Sequence, residues 1–143
     1  MEKIGRLKQP WVGKIQPFKI IDGVYFVGTY QASSHLVDTG DGLILIDTGY
    51  DNTTYLVVNS IYELGFNVKD IKYIINTHWH GDHTEGTAPI ADLSGARTQD
   101  EAHEILAKQL MAQGKINGSK EFADAMAQAW KDNQDVIKAL PVR

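Results

Sequence analysis

Residues 76–83 hold three histidines and an aspartate directly behind a short apolar run, residues 71–75. The apolar run predicts a β-strand, and turn-prone residues follow at 84–87, so the histidines are expected on a loop at the carboxyl end of that strand. Imidazole nitrogens combined with a carboxylate are the ligands that zinc and similar metals prefer. Because four such groups crowded together without a cation would be desolvated unpaired, the pattern indicates a metal site rather than an ordinary polar loop.

The spacing within this histidine loop, residues 76–83, predicts which side chains meet. Alternation along an extended backbone directs His78, His80 and Asp82 to one side. A bend at Gly81 would bring His83 round to join them. We therefore predict these four residues as the metal ligands.

The run His78-x-His80-x-Asp82-His83, preceded by Thr77 and combined with Leu-Ile-Asp-Thr-Gly at residues 45–49, resembles the metallo-β-lactamase superfamily of metallo-hydrolases. The resemblance covers roughly residues 18–95. It implies an α/β fold, the αβ/βα layered sandwich, present here as a half or truncated version with extra C-terminal helices. It also implies that His78 and His80 hold a first metal and Asp82 and His83 a second, with zinc the expected ion and other divalent transition metals as alternatives. Asp47 would support the ligands from the end of a neighbouring strand without binding the metal itself.

Length and composition point to one ordinary domain. A single domain over residues 1–143 is expected, with an irregular arm at 1–17, a family-like core at 18–95 and a helical tail at 96–143. The chain is 43% hydrophobic and 22% charged, as in soluble globular proteins, and its net charge of -4 argues against nucleic-acid binding. It contains no cysteine, which excludes disulfides and thiolate ligands. Since no stretch matches a signal peptide or a membrane span, we predict a cytoplasmic protein without a membrane partner.

Five strands are predicted up to the histidine loop. Their limits are residues 18–21, 24–27, 34–38, 43–47 and 71–76. The first four form two hairpins, the first around Asp22-Gly23, and the fourth strand is apolar enough to be buried on both faces. His35 lies inside the third strand and is interpreted as a strand histidine rather than a ligand.

Helices are predicted on both sides of the loop and in the tail. Residues 52–64 form a core-facing helix that Gly65 stops, and Thr87 caps a short helix that ends near residues 94–95. Thr98 and Glu101 fit a capping box before a tail helix at 100–111. The apolar faces of the two tail helices comprise Ala102, Ile105, Leu106 and Leu110, and then Phe122, Met126, Ala129, Trp130, Ile137 and Leu140. Trp11 is expected to fix the amino-terminal arm to the body of the protein.

Two functions from different classes remain open at this stage. The first is a metal-dependent hydrolase that directs a metal-activated water at a small-molecule ester, thioester, lactam or phosphoester, with Asp82 as ligand and proton acceptor. The second is a truncated, non-catalytic module that binds metal or self-associates. The second stays open because the family's later ligands have no counterpart here: only His103 follows His83, and it is interpreted as a surface or core histidine. The apolar stripe of the last helix favours a homodimer in either case.

Overall fold

The computed structural model describes residues 8–99 and, beyond them, the single positions 101, 108, 112, 120, 124, 127, 128, 131 and 132. The chain divides into two compact units, residues 1–97 and 98–143. The predicted apolar faces of the tail helices and His103 lie outside the described residues. The histidine loop and the elements that position it belong to the first unit.

Six strands form one sheet, ordered as they occur in the chain. They are β1 Phe18–Ile21, β2 Val24–Phe26, β3 His35–Asp38, β4 Leu43–Ile46, β5 Ile71–Ile75 and β6 Arg97–Thr98. The first four strands pair antiparallel, which confirms both hairpins, whereas β5 runs parallel to β4. The five strands predicted up to the histidine loop are confirmed. The sixth strand, β6, was not predicted because two residues are too few to show an alternating pattern.

Three α-helices lie within residues 8–97, the described part of the first unit. Helix α1, Thr54–Glu63, ends just before Gly65 as predicted, and the φ of +89° at that residue needs the freedom of glycine. Helix α2, Gly81–Thr84, is a single turn inside the histidine loop, and α3 is Thr87–Ser94. The N-cap of α3 is Gly86 and not Thr87. The prediction of a Thr87 cap was wrong because its hydroxyl is directed at Asn76 instead.

In the second unit, the predicted capping box is confirmed. The Thr98 amide donates to Glu101 Oε2 at 3.0 Å, and the Glu101 amide donates to Thr98 Oγ1 at 3.4 Å. All described positions from Gln99 onward have helical backbone, as the two predicted tail helices require there. None of the helices in the described part of the chain is long and apolar enough to cross a bilayer. The cytoplasmic location stays a prediction.

The hydrophobic core lies on one face of the sheet. Leu36, Leu45 and Ile74 are register partners on β3, β4 and β5, and each is at most 1% exposed. Side chains of α1 and α3 join the same cluster: Val57, Ile61, Ile90 and Ala91. The prediction that β4 is buried on both faces was wrong, since Ile44 and Ile46 are only half-buried. These two side chains point away from the face on which α1 and α3 pack.

The described part of the amino-terminal arm contacts the body of the protein through Gly13 and Lys14 and not through its tryptophan. Trp11 is 59% exposed, so that prediction was wrong. Lys14 instead donates to Ser60 Oγ at 3.0 Å and to Glu63 Oε2 at 3.1 Å, both on α1. The long lysine side chain reaches the helix, whereas the short 3-10 turn at Pro10–Gly13 buries only its last residue.

Candidate metal centre

Two loops begin side by side at one edge of the sheet. Ile46 at the end of β4 is the register partner of Ile75 at the end of β5, and these strands are parallel. The loop beginning with Asp47 therefore lies next to the histidine loop, and the Asp47 amide donates to the Ile75 carbonyl at 2.8 Å. Loops placed this way by a rigid sheet are a frequent location for functional residues.

The histidine loop changes conformation at Gly81. His80 has φ -64° and ψ 147°, in the β region, and the single turn of α2 starts at the next residue. The expectation that Asp82 would continue an extended alternation from His78 and His80 was wrong, because the helical turn begins before Asp82. The turn brings Asp82 and His83 to the same place as His78.

Three of the four predicted ligands form a close group. One ligand atom from each of His78, Asp82 and His83 lies within 4.8 Å of the others. Within this group, His83 Nε2 is 3.2 Å from Asp82 Oδ2, and the ring centroids of His78 and His83 are 3.9 Å apart. His80 is not part of the group, but its ring lies beside His78, with centroids 4.7 Å apart. Asp82 and His83 are half-buried, whereas His78 and His80 are exposed.

Asp47 contacts His83 on the side opposite Asp82. The Asp47 side chain is buried, and its Oδ2 lies 2.8 Å from His83 Nδ1. The two Asp47 oxygens also accept from the amide and the hydroxyl of Thr77, each at 2.8 Å. Burial raises the pKa of the Asp47 carboxyl, but the Thr77 amide, the His83 ring, the Thr77 hydroxyl and the charge of His83 outweigh it, so the pKa is below its usual value. Asp47 is therefore an ionised acceptor that holds His83 by Nδ1.

Thr77 orients the imidazole of His78. The sequence placed Thr77 next to the motif but did not predict this role. Its hydroxyl has one proton, which is donated to Asp47 Oδ2. Toward His78 Nδ1, 3.1 Å away, the hydroxyl can therefore only accept. Neutral His78 then carries its proton on Nδ1, as His83 does toward Asp47. In its neutral form each ring then leaves Nε2 with a lone pair, the atom that a metal would use.

The remaining described histidine has a packing role. His35 is half-buried in β3, and its ring meets Phe26 edge to face with centroids 5.7 Å apart. Its interpretation as a strand histidine is confirmed.

The fold and the grouped side chains define an α/β protein with a candidate metal centre at the edge of its sheet. The family model of the metallo-beta-lactamase superfamily matches residues 27–108, more than half of the chain. The chain therefore belongs to the metallo-beta-lactamase superfamily, whose members are generally metal-dependent hydrolases. The predicted family and the α/β metallo-β-lactamase fold class are confirmed.

Solved structures and curated proteins show the same similarity over part of their length. BJP-1, a subclass B3 metallo-beta-lactamase of Bradyrhizobium japonicum, matches with a TM-score of 0.60 and 42% identity over 63% of this chain and 34% of that chain. A Cronobacter sakazakii metallo-beta-lactamase matches with a TM-score of 0.60 and 39% identity over 67% and 36%. The Beta-lactamase-like protein 2 homolog of Caenorhabditis elegans is 40% identical over 60 residues, 42% of this chain and 20% of that protein. This chain thus spans about a third of the solved neighbours and about a fifth of this curated relative.

Proposed function

We propose that this protein is a zinc-dependent hydrolase in which His78, His80, Asp82 and His83 hold one or two zinc ions. The observation that carries the proposal is the separation of 3.2 Å between His83 Nε2 and Asp82 Oδ2. Because His83 Nδ1 lies 2.8 Å from Asp47 Oδ2, Nε2 is the ring nitrogen that His83 directs toward the Asp82 carboxylate. A histidine ring nitrogen beside a carboxylate oxygen is a pair of ligands that zinc prefers. His78 offers a third ligand atom to the same group.

The donor set also fits zinc in its chemistry and spacing. Zinc binds histidine nitrogens and carboxylate oxygens at about 2.0–2.2 Å, so two ligand atoms on a tetrahedral ion are roughly 3.3–3.6 Å apart. The three grouped ligand atoms all lie within 4.8 Å of one another, which is close to these spacings. When such an ion is bound, the chemistry it supplies is Lewis acidity and activation of water. Other divalent transition metals suit the same nitrogen and oxygen set.

The residues of the chain have separate roles in this proposal. His78, His80 and His83 bind through ring nitrogens, and Asp47 keeps the proton of His83 on Nδ1 so that Nε2 faces the ligand position. Asp82 accepts a proton from the attacking water as well as binding, since its side chain is 33% exposed and within reach of solvent. The proposed substrates are small-molecule esters, thioesters, lactams or phosphoesters, all of which offer water a carbonyl or phosphoryl centre.

Metal content and turnover, measured on the same preparation, test this function. After dialysis and titration with zinc, the protein is expected to hold about one or two zinc ions per chain by elemental analysis. It is also expected to hydrolyse at least one chromogenic lactam, thioester or phosphoester in a zinc-dependent manner. Failure to take up any metal would contradict the site. Metal uptake without turnover would instead support the alternative, a non-catalytic metal-binding or self-associating module.

We also propose that the protein forms a homodimer. The support is the sequence of the last predicted helix, where six apolar residues recur on one face, which is more than a solvent-facing helix needs. These residues lie outside the described part of the chain. Light scattering at micromolar concentration is expected to give twice the mass of the 143-residue chain. A monodisperse monomer would contradict the proposal.

A further inference from the structure

The two ends of the histidine loop are joined by one side chain. Thr87, the first residue of α3, donates its hydroxyl proton to Oδ1 of Asn76, the first residue after β5, at 3.0 Å. All four proposed metal ligands lie between these two residues. Thr48 Oγ1, on the neighbouring loop, lies 3.1 Å from Thr87 Oγ1 and donates to the His83 carbonyl at 3.1 Å. The Thr87 hydroxyl is therefore the junction of both ends of the loop and the loop beside it.

The donors and acceptors at this junction are mutually consistent. Thr87 gives its only hydroxyl proton to Asn76, so toward Thr48 its oxygen accepts. The Thr48 amide already donates to the His83 carbonyl at 2.9 Å, so the Thr48 hydroxyl can share its proton with Thr87 without leaving that carbonyl unpaired. Thr48 is 0% exposed, which excludes competition from bulk water. A part-buried network of this kind favours one arrangement of the loop.

Thr87 makes these contacts instead of stabilising its own helix. The N-cap position of α3 is occupied by Gly86, and no side chain caps that helix end. Threonine at an N-cap normally accepts from a backbone amide of the first turn. Beside Thr87 the two loops are in close contact, since a Cβ added to Gly86 would lie 2.5 Å from the Thr48 carbonyl oxygen. The hydroxyl of Thr87 therefore serves the loop and not the helix.

We propose that Thr87 is a positioning residue for the metal site. Its hydroxyl bonds to Asn76 before the loop and contacts Thr48 on the neighbouring loop, which in turn bonds to the His83 carbonyl. These contacts fix the position of the turn with Asp82 and His83 relative to His78. The inference rests on the proposed function, because it assumes that these side chains bind a metal.

Three variants test the role of the Thr87 hydroxyl. Thr87→Val removes it with little change of shape, and Thr87→Ser keeps it. Ser94→Ala is the matched control at the other end of α3, where Ser94 Oγ donates to the Ile90 carbonyl at 2.7 Å and accepts from the Ala96 amide at 3.0 Å. With Co²⁺ as the probe, Thr87→Val is expected to lower affinity by about tenfold and to alter the cobalt absorption spectrum. Thr87→Ser should restore both, and Ser94→Ala should change neither.

A metal-free measurement separates failure of this inference from failure of the proposed function. In the presence of a chelator, amide hydrogen exchange at Thr48 and Thr77 is expected to be faster in Thr87→Val than in Ser94→Ala. The positioning role would be overturned if Thr87→Val had the same amide exchange and cobalt affinity as the wild type. It would also be overturned if Thr87→Val and Ser94→Ala lost the same amount of cobalt affinity. Either result would leave the proposed metal site intact. Wild-type protein that takes up no cobalt would overturn the proposed function itself. If Thr87→Val does not fold, Asn76→Ala removes the same hydrogen bond from the other partner and is measured in the same way.

Discussion

Replacing His83 by alanine is expected to lower the affinity of the protein for zinc by about a hundredfold or more. Loss of a residue that only orients a ligand typically costs about 10–100-fold in metal affinity, and loss of the ligand itself should cost at least as much. His83 contacts both the Asp82 carboxylate and the buried Asp47, so its removal also leaves Asp47 without one of its donors. Competition with a chromogenic zinc chelator measures the effect.

The variant His80→Ala provides an internal comparison. His80 lies beside the group of three and not within it, and we expect its removal to weaken zinc binding by more than about tenfold because a site with few ligands has none to spare. Trp79→Ala is the matched control, since Trp79 is in the same loop, is 83% exposed and has no metal-binding atom. Equal affinities for Trp79→Ala and His83→Ala would show that the loop does not bind zinc through its histidines.

The variant Asp47→Asn is expected to reduce zinc affinity by about 10–100-fold while the fold is retained. Asp47 accepts from three donors with two oxygens, whereas an asparagine has one acceptor oxygen and would turn an amide group toward a donor. The backbone should tolerate the change, because the φ of +59° at this position is in the left-handed region that Asn and Asp both adopt. Zinc affinity by chelator competition and circular dichroism together measure the result.

The control for Asp47→Asn is the same substitution at Asp38. Asp38, the last residue of β3, also accepts from a backbone amide, that of Gly40 at 2.9 Å, but it is exposed. Asp38→Asn should leave zinc affinity unchanged. An Asp47→Asn protein that loses its circular dichroism spectrum would show that the carboxylate is needed for folding and not for the metal site.

Local sequence signals predicted most of the elements in the first unit. Asp22-Gly23 marked the first hairpin, Gly65 marked the end of α1, and the apolar run before Asn76 marked β5. Each signal works through nearest neighbours in the chain, either as a positive φ that favours glycine or as a period of apolar residues. The two-residue β6 carries no such signal, and it was missed for that reason.

The burial of β4 depended on contacts that no local pattern contains. Leu43-Ile44-Leu45-Ile46 is apolar at every position, which predicted burial on both faces. Only the packing of α1 and α3 against Leu43 and Leu45 determined which face became the core. Similarly, the sequence of the amino-terminal arm favoured Trp11 as its contact with the body, but the positions of Ser60 and Glu63 on α1 provide partners for Lys14 instead.

For the candidate site, the sequence by itself predicted the family and the close spacing of the proposed ligands in the chain, because histidine and aspartate at that density have few other uses. It did not determine how the loop is held. The parallel pairing of β4 with β5 brings Asp47 to His83, residues 36 positions apart in the chain, at 2.8 Å. The same pairing brings Thr48 to the His83 carbonyl and to Thr87. Hydrogen bonds form over about 3 Å in space, and only the tertiary structure decides which distant residues come that close.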